Sequence, residues 1–357
     1  SGAVQETGAV TAVRGRRPTM LTLATTGRYV IAADVRPGET RLALADATGH
    51  LVARAMIPTP GTPEKFGERL AEGMSALVAQ HTGGASVARA CVGAGIVLPG
   101  MIDRTTGRLL YAPVLGWRDV DLRTGVAKRL GVKTYIESAP IACALAQLWL
   151  APEETRGITG FAYVHVSDGL GVGLVINGEA VRGDMHSAGE FGHVSLDPNG
   201  PVCVCGRRGC WEALANNAAT VARYRTAVHG DAGSGDARRK RAAASPPPAI
   251  GIHEIVRRAR LGDTAAVAAL TGTAQQLGRG IAMVIAAFNP GRIYLGGEIS
   301  AAWNLLEGPV RAVVQAAAIT DAAGATPIVP ARHPGENRLQ GAVALVNAPT
   351  FAALDVG

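Results

Sequence analysis

Three of the chain's five cysteines fall in one short loop, as Cys203-x-Cys205-x4-Cys210. Soft thiolate sulfurs at this spacing suit a metal ion, and Gly206 and Gly209 let the backbone fold round it. His193, upstream of the first cysteine, completes three sulfurs and one imidazole, the closed tetrahedral set of structural zinc. With every position filled by protein, such an ion has no open site for water. Its expected role is structural and not catalytic. The bland alternative is three core cysteines, which rarely crowd at this spacing beside glycines. Glu190 and Glu212 flank the set. A loop that fixes His193 also fixes these carboxylates, and rigid polar groups beside a cleft suit a polyhydroxylated ligand. Two solvated surface charges are the other reading.

Bulk properties bound the chemistry. A chain of 357 residues can bury a large core and is long enough for two lobes. Hydrophobic residues at 48% and charged residues at 18% describe an ordinary globular chain. The richest apolar run, Gly280–Pro290, is too short to span a bilayer, and the first residues lack the order of a secretory signal. No membrane partner and a cytoplasmic location are the expectations. The odd cysteine count favours metal over a disulfide framework. Net charge is +7, from 35 Lys and Arg against 28 Asp and Glu. Much of the excess sits in Val13–Pro18 and Ala237–Arg241. Such runs can touch a phosphate backbone, but usually they are solvated tails or loops.

The elements that must position the cluster follow from periodicity. Residues 1–25 read as a strand pair or arm. Arg28–Val35 is an apolar run suited to a buried strand, and Thr40–Pro58 alternates around a turn. Thr62–His81 has helical spacing with Pro63 at its start. Val87–Asp103 reads as a strand entering a Gly/Pro loop. A short helix, a strand and a helix follow up to Leu150. Gly160–Val181 is a second strand–glycine–strand unit, echoing the first, so the order implies a duplicated architecture. Gly230–Ile250 has no apolar period and reads as a disordered loop. Helices, the strand Arg292–Gly297 and a last helix close an α/β chain.

The stretch from Gly189 to Ala215 resembles the ROK family of repressors, open reading frames and sugar kinases. It matches the family's E-x-G-H and C-x-C-G-x-x-G-C-x-E motifs, here Glu190–His193 and Cys203–Glu212. Leu98–Leu122 is similar to the family's loop between a strand and the sugar pocket, and Asn289–Ser300 to its nucleotide-side strand. The resemblance implies a two-lobed actin-like, ribonuclease-H-like ATPase fold with a sugar cleft. Its lobes would be 26–137, with the C-terminal helix 339–357 packed on it, and 138–338, carrying the zinc loop 193–210. It also implies that Glu190, His193 and Glu212 contact the sugar, with Gly100 and Ser138 in the same ligand set.

The departures concern phosphoryl transfer. Family kinases carry Glu-Asn-Asp where this chain has Glu137, Ser138 and Ala139. The lost aspartate is the base that takes the sugar hydroxyl's proton, and a methyl group cannot do so. The first phosphate loop, Asp-x-Gly-Gly-Thr in kinases, here keeps Asp34 but has Arg36 and Pro37 for the glycine pair. Glycines there let backbone N–H groups approach phosphate, and proline removes one donor. The second loop, Ser167–Gly173, keeps its glycines but places Asp168 where a hydroxyl is usual. No catalytic residue and no ATP are therefore expected. Val114, Ser138 and Ala139 each offer less hydrogen bonding than the family's usual residues. The effector is accordingly a different, larger or less polar sugar or sugar phosphate, or none.

Residues 1–24 look like the arm that follows the helix-turn-helix in ROK repressors such as those for N-acetylglucosamine and xylose. That helix-turn-helix is not among the 357 residues. Either the sequence starts downstream of it or the protein never carried one. The leading expectation is the effector-sensing and oligomerisation part of a transcriptional regulator, reading operator DNA through that missing element as a homodimer or tetramer. An active sugar kinase and a scaffold that binds no sugar are the alternatives. Among other candidates, Cys91, Cys143 and His165 read as core. His186 could reach the cleft, and Trp117 and Trp211 either stack on sugar or pack.

Overall fold

The computed structural model describes residues 4–9, 19–23, 28–229, 250–332 and 335–352. Both basic runs, and the loop expected to be disordered except for Ile250, lie outside the described residues. The chain divides into two compact units. One comprises Ser1–Ser138, Trp149–Ala151 and Arg338–Gly357; the other comprises Ala139–Leu148 and Pro152–Asn337.

In the first unit, β1 (Val4–Ala9) pairs antiparallel with β2 (Thr19–Leu23). A meander follows: β3 (Tyr29–Val35), β4 (Glu39–Ala45) and β5 (Leu51–Pro58). Next come α1 (Phe66–Thr82), α2 (Val87–Ala90) and β6 (Cys91–Leu98), which lies parallel to β3. A small antiparallel sheet, β7 (Met101–Asp103), β8 (Arg108–Ala112) and β9 (Trp117–Asp121), precedes α3 (Arg123–Leu130) and β10 (Thr134–Ser138), parallel to β6. β3 reads as a continuous apolar run because both faces of it are covered. One stripe of α1, Phe66, Leu70, Met74 and Leu77, closes the core over Ile31, Ala33, Leu42 and Leu44. This helix starts later than its spacing predicts. Lys65 takes a left-handed φ of 57°, and the Phe66 N–H bonds the Pro63 carbonyl, so Pro63 belongs to a turn before the helix.

The second unit opens with α4 (Ala139–Leu150), whose last residues belong to the first, and α5 (Pro152–Thr155). Its meander is β11 (Gly160–Val166), β12 (Leu170–Ile176) and β13 (Glu179–Val181). The motif region then leads to α6 (Trp211–Ala215), α7 (Asn217–His229), α8 (Ile252–Arg260) and α9 (Thr264–Phe288). β14 (Arg292–Gly296), α10 (Trp303–Ala317), α11 (Asp321–Gly324) and β15 (Ile328–Pro330) complete it. The last helix, α12 (Asn337–Ala352), belongs to the first unit from Arg338 onward and sets Ala342 against Gly95 of β6. α9 supplies the core, with Leu277, Ile281 and Val284 packed with Val164, Ile293 and Leu295 of the sheet.

The two large sheets have orders β10-β6-β3-β4-β5 and β13-β12-β11-β14-β15. Each is an antiparallel meander whose first strand is followed outward by two parallel strands. The duplication expected from the two hairpins is thus present at the level of topology. Among the described residues, no helix is long and apolar enough to cross a membrane.

Candidate metal centre and ligand site

The candidate metal loop is built from two strands of irregular chain. A 3-10 turn, Glu190–His193, brings His193 in from one side. The cysteines arrive from the other, on a hairpin closed by bridges Ser195 to Cys210 and Val202 to Arg208. Backbone bonds shape it: Cys203 N–H to the Arg207 carbonyl at 2.7 Å, Gly209 N–H to Pro201 at 2.8 Å and Leu196 N–H to Gly209 at 2.8 Å. Gly209 has φ +64°, and a Cβ there would lie 1.5 Å from the Asp197 carbonyl oxygen. No other residue fits that turn. Cys210 is the N-cap of α6, and its neighbour Trp211 is fully buried against Gly280 of α9, which anchors the loop to the core.

The ligand atoms of His193, Cys203, Cys205 and Cys210 all lie within 4.8 Å of one another. Cys203 Sγ is 3.7 Å from His193 Nδ1, and Cys205 Sγ is 3.7 Å from Cys210 Sγ. A thiolate tetrahedron round zinc, with bonds of about 2.3 Å, has edges of about 3.8 Å. The donor set fits such an ion in number, softness and spacing. Burial opposes ionisation of the thiols and holds Cys203 and Cys210 above the ordinary thiol range. At Cys205 burial is outweighed by hydrogen bonds from the Arg207 backbone and side chain and from its neighbouring thiols, which bring it down to about 7. A bound cation would supply the charge that ionises the other two.

The carboxylates stand where the motif puts them, in different settings. Glu190 is partly exposed, with Oε2 3.7 Å from His193 Nε2. Partial desolvation raises its carboxyl above the usual range; His193 pulls it down, and Glu212 adds a smaller upward push. The imidazole thus turns one nitrogen to the sulfurs and the other to a carboxylate, the arrangement that orients a metal-binding histidine. Glu212 is 6% exposed. Its Oε1 lies 3.5 Å from Cys203 Sγ, and its Oε2 accepts the Leu170 N–H at 2.9 Å. It is no solvated surface charge.

Of the residues expected to bind ligand or metal, Glu190, His193, Cys203, Cys205, Cys210 and Glu212 come together in the second unit. Gly100, at φ +106° between β6 and β7, and Ser138, ending β10 with its N–H on the Glu137 carboxylate, lie in the first. Cys91, Cys143 and His165 are buried, as their apolar surroundings imply. His186 is half-buried in the turn before the cluster and is not one of the gathered ligands. Packing decides the two tryptophans against stacking on a sugar. Trp117 and Trp211 are fully buried, and the Trp117 ring meets Phe66 at 5.0 Å while its N–H bonds the Gly61 carbonyl.

Asp34, at the end of β3, marks the first loop. Its carboxylate is 1% exposed and sits between two arginines. Arg36 Nε donates to Oδ2 at 2.7 Å, and Arg338 Nε lies 2.6 Å from Oδ1. Arg338 also donates to the Val35 carbonyl at 2.7 Å. The Arg36 N–H is spent on Glu39 within the turn. Sequence reasoning marked Arg36 as a departure but missed Arg338, and nothing local around Arg338 points to Asp34.

Residues 30–348 match the ROK family. The xylose repressor of Bacillus subtilis (strain 168) is 28% identical over 286 residues, which is 80% of this chain and 68% of that one. Among solved structures, a ROK family glucokinase from Streptomyces griseus, in complex with glucose and AMPPNP, aligns at TM-score 0.75 and 25% identity. That alignment covers 89% of this chain and 98% of the other. A ROK family transcriptional regulator, a homolog of the E. coli MLC protein, aligns at TM-score 0.80 and 22% identity, over 99% of this chain and 86% of that one. The fold is the actin-like fold of the ROK sugar kinases, and the relatives include both repressors and kinases. The chain belongs to the ROK family.

Proposed function

We propose that this chain is the sugar-sensing and oligomerisation region of a ROK-family transcriptional regulator, without kinase activity. The observation that carries the reading is the buried Arg36–Asp34–Arg338 cluster. A phosphate loop needs free backbone N–H groups and open space beside its aspartate. Here Arg36 uses its N–H in the turn, Pro37 has none, and two guanidinium groups already neutralise the carboxylate. Ala139, buried at the start of α4, has no proton acceptor to offer a sugar hydroxyl.

Glu190, His193 and Glu212 contact the effector, a sugar or sugar phosphate, through its hydroxyls. The family resemblance alone supports adding Gly100 and Ser138 to the proposed ligand set. His193, Cys203, Cys205 and Cys210 hold structural zinc, which braces the wall on which these groups stand. Operator DNA is contacted through a helix-turn-helix outside these residues, by a homodimer or tetramer.

The likeness to glucokinases supports the sugar-kinase reading, and one assay separates the two. A coupled ADP-release assay over a panel of hexoses, pentoses and amino sugars with ATP is expected to stay flat. Clear turnover overturns the proposal. Calorimetric titration with the same sugars and their phosphates is expected to give binding for at least one. Binding of none favours a scaffold. A gel shift with the full-length gene product tests DNA binding.

A further inference from the structure

Both halves of the metal loop grip the start of β12. On the histidine side, the Gly189 carbonyl accepts the Val172 N–H at 3.3 Å, and Gly192 lies against the Leu170 carbonyl. On the cysteine side, Glu212 Oε2 accepts the Leu170 N–H at 2.9 Å across 42 residues, while Oε1 lies by the Cys203 sulfur. The turn before Leu170 is held from the same side. Asn217 N–H donates to the Ser167 carbonyl at 3.0 Å, and Asn216 Nδ2 to the Asp168 carbonyl at 3.1 Å. Gly169 leaves room for the grip: its backbone is not left-handed, but a Cβ would meet Glu212 Oε2 at 2.8 Å.

An ion at the cluster ties His193, from one half, to the three cysteines of the other. The strand end lying between them is then clasped from both sides. We propose that Glu212 is a positioning residue coupling the metal site to the Ser167–Leu170 turn, so that filling the site fixes that turn. The coupling rests on the zinc reading of the cluster. It assigns Glu212 a task apart from any contact with effector, and makes Gly169, which touches no ligand atom, part of the metal site's support.

Amide hydrogen exchange at Leu170 tests this on the full chain, loaded with Zn2+ and after chelation. In the wild type, chelation is expected to speed exchange at Leu170 by about tenfold or more. Zinc-loaded Glu212→Ala is expected to keep its zinc yet exchange as fast as the chelated wild type. Glu212→Gln, which retains an acceptor oxygen, is expected to restore protection to within about threefold. By reciprocity of coupled sites, Gly169→Ala should weaken Zn2+ binding about fivefold or more, read by competition with a chromophoric chelator. Unchanged protection of Leu170 in zinc-loaded Glu212→Ala overturns the coupling. If that variant does not fold, the Gly169→Ala affinity decides, and an unchanged affinity overturns it. A wild-type chain that takes up no Zn2+ overturns the zinc reading, and the coupling with it. One that takes up Zn2+ but protects Leu170 equally without it overturns the coupling alone.

Discussion

Arg36 Nε donates to Asp34 Oδ2 at 2.7 Å, with both side chains almost wholly removed from solvent. Arg338 meets the other carboxylate oxygen from the start of α12. A buried carboxylate is costly unless neutralised and hydrogen-bonded. Both guanidinium groups neutralise it here, and Arg36 also donates a hydrogen bond to it.

Removing either arginine leaves Asp34 buried with half its compensation. Arg36→Ala and Arg338→Met are each expected to cost about 3 kcal/mol in urea unfolding. The larger loss is expected for Arg338, which also serves the Val35 carbonyl. A midpoint unchanged for both variants would show that the cluster does not hold β3 to α12.

Metal removal gives a second test. With free Zn2+ at about 1,000 times its dissociation constant, binding stabilises the folded chain by about 4 kcal/mol, so chelation should lower the melting temperature. Cys203→Ser and His193→Ala should lose stoichiometric zinc, measured by elemental analysis, and melt like the chelated wild type.

Gly209→Ala carries both a left-handed φ and a Cβ placed 1.5 Å from the Asp197 carbonyl. The hairpin must open to admit it. The expected cost is about 3 kcal/mol or more, with zinc affinity falling although no ligand is changed. Gly206 also has a positive φ but nothing near its Cβ. Gly206→Ala should therefore cost only about 1 kcal/mol.

Burial pushes the Cys91 thiol up to about 12 from an ordinary 9.0, with Arg28 acting the other way. A raised thiol means that the folded state favours the protonated form. The stability it contributes is full below about pH 9 and is lost as pH rises towards 12. Cys91→Ala should flatten the fall in melting temperature across that window. In the wild type at pH 8, mass spectrometry should find Cys91 free of iodoacetamide while the chelated protein is labelled at Cys205.

The histidine and cysteine cluster, its flanking acids and both hairpins were legible in the sequence because their determinants are local. Cys203, Cys205 and Cys210 are brought together by one short turn, and Gly209 marks the backbone that turn requires. The alternation of Thr40–Pro58 and the apolar run of β3 follow from which faces are covered. The start of α1 was misplaced because Pro63 suits either the first turn of a helix or the turn before one. Only the backbone at Lys65 separates these.

Sequence alone thus determined which donors the cluster offers, and that a methyl group stands at Ala139 and Arg36 and Pro37 follow Asp34, since each is a matter of residue type. Tertiary structure decided what those residues do instead. Asp34 meets Arg338 from the far end of the chain, Leu170 finds Glu212 across 42 residues, and Trp117 and Trp211 turn inward rather than towards a ligand. These pairings depend on how the strands, helices and loops of one unit come together. Burial then selects the partner, because a desolvated carboxylate or amide must find its complement within the fold.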